Sequence, residues 1–119
     1  MNNRELGRIG EEAAVRHIVS RGMKPLARNF RFGRLGEIDI IAQDGNTLCF
    51  IEVKARRGDR YGTPAEAVSA VKRKTIMKVA QAYIIRHGIH DMPLRFDVME
   101  IYMGPNGEIQ SIEHIKGAF

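Results

Sequence analysis

GEIDIIAQDGNTLCFIEVKAR (residues 36–56) decides the fold, because it holds two apolar, strand-like runs joined by the tight-turn signal Asp44-Gly45. The runs are GEIDIIA (36–42) and TLCFIEVKA (47–55). Charged residues interrupt both of them: Asp39, Glu52 and Lys54. Ionised side chains seldom lie among apolar ones without a partner, so these residues need an explanation.

Side-chain alternation places the interrupting charges on one face of the predicted hairpin. With an even-numbered loop, we expect Asp39 opposite Phe50 and Glu37 opposite Glu52. Asp39 and Glu52 are then diagonal neighbours roughly 7–8 Å apart at the backbone, close enough for both carboxylates to reach one cation. Lys54 shares their face. The apolar side chains are expected on the opposite face: Ile38, Ile40, Cys49, Ile51 and Val53.

Two simpler interpretations compete with a site. The charges also suit the solvated face of an amphipathic hairpin, or a surface Glu52–Lys54 pair worth under about 1 kcal/mol. An odd-numbered loop would put Asp39 and Glu52 on opposite faces. We favour a site, because two carboxylates and a lysine at this spacing are what metal-dependent hydrolysis of a phosphodiester requires.

These motifs resemble those of a known family. GEIDIIA and FIEVKAR (50–56), preceded by GRIGE (7–11), look like the bacterial YraN-type family. That family is similar in fold to the restriction-endonuclease-like PD-(D/E)xK nucleases and, within them, to the archaeal Holliday-junction resolvases. The resemblance covers about residues 4–102. Ile38 stands where the superfamily's name has proline, a residue that is often absent among relatives.

From the motif residues, with the nuclease-like fold that the resemblance implies, we expect an endonuclease that hydrolyses phosphodiester bonds with Mg2+ or Mn2+, with DNA favoured over RNA and branched or junction DNA as a candidate substrate. Its implied catalytic residues are Asp39, Glu52 and Lys54. Its implied metal ligands are Asp39, Glu52, the carbonyl of Val53 and Glu11. Glu37, on the same face, is expected to support Lys54 or a water at the metal from the second shell. Resolvases act as dimers, so the resemblance also leaves a homodimer open.

Glu11 can also be placed by geometry. On a helix predicted over residues 4–21, Glu11 shares an arc with Gly7, Ala14 and Ile18, at about 100° per residue. A carboxylate at the rim of this apolar arc can equally reach solvent. The match at GRIGE favours Glu11 as an auxiliary ligand, because a glutamate of the first helix joins the metal site in the resolvases.

The chain is basic in a localised way. Its net charge is +5, and residues 1–78 hold 16 of the 19 Lys/Arg but 9 of the 14 Asp/Glu. Clusters of positive charge around one acidic site favour a nucleic-acid backbone as the partner, although scattered cations also simply keep a surface soluble. The absence of Trp favours duplex over unpaired bases. The predicted contacts are Arg31, Arg34, Arg56, Arg57, Lys72 and Lys74.

Size and element pattern predict an α/β fold in one domain, residues 1–119. Helical periodicity appears over 4–21 and from about Ala65 to His87, with a break near Ser69-Ala70. Strand patterns appear near residues 25–32, 36–43, 47–56, 94–102 and 108–115. The expected architecture is a restriction-endonuclease-like mixed sheet flanked by helices, in the order αβββαββ. No run is long enough to cross a bilayer and no apolar leader opens the sequence, so we expect a cytoplasmic protein without membrane contact.

Two other functions remain open from the sequence. One is a nucleic-acid-binding module that has the nuclease fold and performs no chemistry. The other is an adaptor whose basic face meets an acidic protein, which leaves the Asp39, Glu52 and Lys54 grouping without a purpose. Incubation with nucleic acids in the presence and absence of divalent metal separates the nuclease from both.

Overall fold

The computed structural model describes residues 2–57 and 69–119. The elements follow the expected order: α1 Asn3–Ser20, β1 Lys24–Phe32, β2 Gly36–Asp44, β3 Thr47–Arg57, α2 Ala70–Arg86, β4 Leu94–Met103 and β5 Ile109–Ile115. This confirms the predicted α/β order αβββαββ. The helical pattern was expected to begin at about Ala65, and its part over residues 65–68 lies outside the described residues. Ser69 caps the observed helix by accepting the Lys72 N–H at 3.2 Å.

The strands form one mixed sheet in the order β1-β2-β3-β4-β5. Neighbouring strands are antiparallel except for β3 and β4, which are parallel. Parallel neighbours need a crossover connection, and α2 lies in that connection. Neither helix, within the part of the chain that the structure describes, is long and apolar enough to span a bilayer.

The hairpin register differs from the prediction. Asp44 pairs with Thr47, so the loop is the two residues Gly45-Asn46, and the ladder runs on to Ile40 opposite Ile51. Gly45 has φ 62°, and glycine at the first loop position is what type II′ hairpin turns favour. The predicted pairing of Asp39 with Phe50 is therefore wrong, because a four-residue loop was assumed. Asp39 and Glu52 instead come next after the last pair of the ladder.

The two helices cover opposite faces of the sheet. Under α1 lie Ile40 and Ile51 with Met99, whereas Leu48 and Phe50 pack under α2. Cys49 and Val53, which were predicted to share a face with Ile40 and Ile51, also pack in the core beneath α1. The sheet thus has an apolar layer on each face, and α1 and α2 bury them.

Ile38 does not follow the predicted alternation. It packs on the α2 face together with Ile41, although an odd spacing in a regular strand would place the two on opposite faces. The neighbouring strand shows the same irregularity, since Asn29 has φ 51° beside this point. Asp39 therefore stands at a break in the regular geometry of β2, which no periodicity in the sequence signals.

A close contact holds α1 on the sheet. A Cβ added to Gly10 would lie 3.0 Å from Ala55 Cβ and 3.4 Å from Met103 Cε. Gly7, one turn earlier, has no atom within 4 Å of the same position. The missing side chain at Gly10 thus lets the helix approach β3 and carry Glu11 to the sheet.

We expect Gly7→Ala to stabilise the protein by about 0.5–1 kcal/mol, because alanine favours the helical backbone over glycine and meets no obstacle there. Gly10→Ala should lose that gain or destabilise the fold, because its methyl group must push α1 away from Ala55. Urea unfolding of both variants measures the difference. Equal stabilisation by the two substitutions would contradict the close approach.

Candidate functional site

A fork between β2 and β3 positions the predicted residues. The two strands pair from the turn as far as Ile40 and Ile51, and then the ladder ends. Beyond that point the Val53 N–H donates to Asp39 Oδ2 at 2.8 Å. A side-chain carboxylate thus takes the place of a backbone acceptor, which satisfies an N–H that would be costly to bury unpaired.

Glu52 is a buried carboxylate beside Asp39. Its side chain is 6% exposed. Lys72 Nζ lies 3.5 Å from Glu52 Oε2, within ion-pair range, yet this oxygen has no hydrogen-bond partner in residues 2–57 and 69–119. Burial, together with the hydrogen bond and the charge of Asp39, raises the pKa of Glu52 to about 8 against the opposing effect of Lys72 and Lys54.

Lys54 completes the predicted trio. Strand alternation puts it on the same side of β3 as Glu52, and its positive charge lowers the pKa of that carboxyl. Lys54 forms no ion pair with any residue that the structure describes. Val53, between them, uses its N–H for Asp39. A ligand role for its carbonyl stays a prediction.

Glu11 approaches the same region from α1. Burial raises the pKa of its carboxyl, and the negative charge of Asp39 raises it further, while a hydrogen bond with Asn29 acts in the other direction. Across the described parts of the chain, however, no three His, Cys, Asp or Glu side chains converge as they would around a metal ion. Asp39 and Glu52 are adjacent, and Glu11 is close enough for the charge of Asp39 to raise the pKa of its carboxyl. Its ligand role stays a prediction.

The carboxylate pair suits a Mg2+ or Mn2+ ion that takes only a few ligands from the protein. Mg2+ keeps several waters and is commonly held by one or two carboxylates, so a third protein ligand is not required. The buried Glu52 oxygen without a hydrogen-bond partner is the kind of hard donor atom that such an ion accepts. The residues present therefore fit the implied metal.

Glu37 has a different partner from the one predicted. Its Oε2 accepts a hydrogen bond from Arg31 at 3.0 Å, in an ion pair that is largely open to solvent. Arg31 thus neutralises Glu37, and the structure shows no contact between Glu37 and Lys54 within its described residues. The expected support of Lys54 by Glu37 has no counterpart in this geometry.

The predicted nucleic-acid contacts divide into two groups. Three are exposed and without an ion pair to other described residues: Arg34, Arg57 and Lys74. Three are paired with acids: Arg31 with Glu37, Lys72 with Glu52 and Arg56 with Glu100. Lys72 is the one of the six that reaches the carboxylate pair itself, because the first turn of α2 lies over Glu52.

Glu100 is a residue that the sequence reasoning missed. It is 1% exposed, its Oε2 accepts from Arg56 Nε at 3.1 Å, and its Oε1 has no partner among the described residues. The β3–β4 register places it beside Lys54. The sequence did carry a signal, since LRFDVMEIYM sets a glutamate within an apolar strand much as GEIDIIA sets an aspartate. A charge at that position indicates a buried partner on a neighbouring strand.

This small mixed α/β protein, with paired carboxylates at a strand fork, can be compared with known proteins. The chain belongs to the uncharacterised protein family UPF0102, whose sequence profile matches residues 10–101. That confirms the family to which the YraN-type resemblance pointed. A UPF0102 protein of Symbiobacterium thermophilum is 49% identical over 108 residues, 91% of each chain. UPF0102 proteins of Caldicellulosiruptor saccharolyticus and Clostridioides difficile are 45% and 44% identical over 119 residues, all of both chains.

The raised pKa of Glu52 predicts how stability depends on pH. The folded protein holds this proton up to about pH 8, whereas the unfolded chain releases it near the ordinary value of 4.5, so stability falls as the pH rises between these values. Glu52→Gln removes that loss. We expect the variant, in EDTA, to melt at least about 4 °C above the parent at pH 9 and close to it at pH 4.

The matched control is Glu113→Gln, which removes the same charge from an exposed position on β5. It should change the melting temperature little at either pH, because exposed carboxylates contribute little to stability. A Glu52→Gln protein that melts below the parent at pH 9 would show that the carboxylate stabilises the fold.

Proposed function

We propose that the protein is a metal-dependent endonuclease of the restriction-endonuclease-like PD-(D/E)xK class, which hydrolyses phosphodiester bonds of DNA with Mg2+ or Mn2+. The observation that carries the proposal is the adjacency of Asp39 and Glu52 at the fork, with one buried Glu52 oxygen left without a hydrogen bond. Lys54, beside them, supplies an ammonium group that has no ion-pair partner among the described residues.

Folding alone does not account for this arrangement. Two adjacent carboxylates repel each other, and the cost of burying Glu52 appears directly in its raised pKa. Apolar side chains of similar volume would fill the fork without that cost. Residues that reduce stability while sitting together at one point are typical of functional sites.

Asp39 and Glu52 would hold the metal, with the Val53 carbonyl and Glu11 as further oxygen donors. When bound, the ion stabilises negative charge on the phosphate and makes a nearby water more acidic. The hydrogen bond from the Val53 N–H fixes the Asp39 carboxylate before any ligand arrives, so little reorganisation is needed. A divalent cation would also relieve the repulsion that raises the pKa of Glu52.

The remaining residues act on the substrate. Lys54 neutralises charge that accumulates on the phosphate as water adds to phosphorus and a phosphorus–oxygen bond breaks, which yields a phosphate monoester and a hydroxyl group. Glu100 holds Arg56 through its Nε, and thereby leaves the outer nitrogens of that guanidinium for a phosphate. The exposed Arg34, Arg57 and Lys74 would contact the backbone farther along, without reading its sequence.

A second function is favoured by one observation. Lys72 Nζ already lies 3.5 Å from Glu52 Oε2, so the protein as it stands places its own cation at the site. A nucleic-acid-binding module without catalysis would keep this pair closed. A nuclease would exchange Lys72 for the metal and release it toward the substrate. The two functions differ in whether divalent metal changes the products.

Purified protein should cut duplex, nicked or branched DNA in Mg2+ or Mn2+ and leave the same DNA intact in EDTA, with RNA as a parallel substrate. Asp39→Asn and Glu52→Gln should each lower the cleavage rate at least about 100-fold, because each removes a charged ligand while keeping the shape of the side chain. Gel assays of product against time measure this, and Glu5→Gln, which changes an exposed glutamate in the first turn of α1, serves as the control with the same loss of charge.

Binding separates the alternatives. At about pH 9, above the raised pKa of Glu52, both variants should bind DNA in EDTA as tightly as the parent or more tightly, because each then removes negative charge from a phosphate-binding surface. Undiminished cleavage by both variants would refute the roles of Asp39 and Glu52. Metal-independent binding by the parent, with no cleavage of any substrate, would identify the binding module.

A further inference from the structure

A charged cleft, separate from the carboxylate site, lies at the β5 edge of the sheet, between that strand and the C-terminal part of α1. Its volume is about 540 Å3. The cleft is lined by His17, Arg21, Ile112, Glu113, His114 and Lys116. β4 separates β5 from β3, so none of these residues belongs to the carboxylate pair at the fork. The lining is dominated by cations and imidazoles, with Glu113 as its acidic member.

A buried carboxylate fixes the orientation of one of these imidazoles. Asp97 is fully buried and accepts from Arg95 at 2.9 and 3.0 Å, from the Gly117 N–H at 2.9 Å and from His114 Nε2 at 2.8 Å. Burial raises the pKa of Asp97, but the hydrogen bonds from His114, Arg95 and Gly117 outweigh it and leave that pKa below its ordinary value. Because an ionised carboxylate only accepts, His114 Nε2 carries the proton and Nδ1 is left for a ligand.

The field in the cleft is positive. Burial lowers the pKa of His17, and the charges of Arg21 and His114 lower it further. The second of these causes, the positive charge around His17, also attracts an anion to the same place. Lys116 Nζ forms an ion pair with Asp44 Oδ2 at 3.4 Å, whereas Arg21 forms no ion pair with residues in the described ranges. The end of α1 opposes the field with about half a negative charge, which is less than either full cation supplies.

We propose that this cleft binds a phosphate group. A tetrahedral oxyanion suits the planar fork of Arg21, the point charge of Lys116 and the Nδ1–H of a protonated His114 ring, which together surround one site with donors. A bound metal cation is disfavoured by the same two charges. The phosphate can belong to a free phosphate or mononucleotide, or to the backbone of a nucleic acid, and the chemistry of recognition is the same. The site does not depend on cleavage at Asp39 and Glu52.

Sulfate is a suitable probe, because its charge stays constant over the pH range in which imidazoles titrate. Titration followed by NMR of the imidazole signals should shift His17 and His114 with a Kd of about 1–10 mM. Arg21→Gln and Lys116→Gln should each weaken binding about fivefold or more, since each removes a charge-assisted hydrogen bond. Lys78→Gln, an exposed lysine on α2 across the sheet, removes the same charge and should leave the Kd unchanged.

Binding should be tighter near pH 6 than near pH 8, because the anion favours the protonated forms of both imidazoles. The charged groups facing them are Arg21 on α1, Asp97 on β4, and Glu113 and Lys116 at β5. The imidazole signal of His17 should therefore titrate at a raised pKa in saturating sulfate. Unchanged imidazole titration would contradict anion binding between them.

Two competition arms identify the source of the phosphate. The Asp39→Asn protein in EDTA is loaded with sulfate and challenged with a mononucleotide or with short duplex DNA. Displacement by the duplex assigns the cleft to a nucleic-acid backbone, and displacement by the mononucleotide alone assigns it to a small phosphate ligand. Imidazole signals that do not move up to about 50 mM sulfate, or equal binding by the Arg21, Lys116 and Lys78 variants, would overturn the proposal.

Discussion

One hydrogen bond, from the Val53 N–H to the Asp39 carboxylate, sets the arrangement of the carboxylate site. It forms where β2 leaves β3, and it replaces a backbone pair with a charged acceptor. Buried N–H groups are rarely left unpaired, so the separation of the strands and the position of the Asp39 carboxylate depend on each other. The same carboxylate then lies beside Glu52 and helps to raise its pKa. Strand pairing and site electrostatics are thus parts of one constraint.

Most of the fold could be predicted because its signals are local. Apolar periodicity and the Asp-Gly turn located every described element to within one residue, apart from the start of α2. The register was missed because Asp-Gly marks a turn without fixing how many residues the loop contains. The side of the sheet taken by Ile38 was missed as well. It depends on a joint irregularity of β1 and β2 near Asn29, which arises from pairing between strands.

The candidate site could be predicted only in part, because it too depends on which strands pair. Asp39, Glu52 and Lys54 interrupt apolar runs, and an anomaly of that kind is visible in one strand at a time. The partners that complete the picture come from elsewhere in the chain: Lys72 reaches Glu52 from α2, and Glu100 reaches Arg56 from β4. Such contacts depend on which strands are neighbours. Glu100 would have been predicted as part of the site if every charged residue within an apolar strand had been assigned a partner of opposite charge.

The position of β3 also shapes how the chain assembles. Strands β1 to β3 are joined by short turns and can pair while the rest of the chain is still disordered, whereas β4 must return across the whole α2 connection to lie parallel to β3. Closing that long loop is the slow, entropically costly step. Until it closes, β3 is an open sheet edge rich in apolar residues, a template for pairing with another chain. The strand that carries Glu52 and Lys54 is therefore also the one most in need of protection during synthesis.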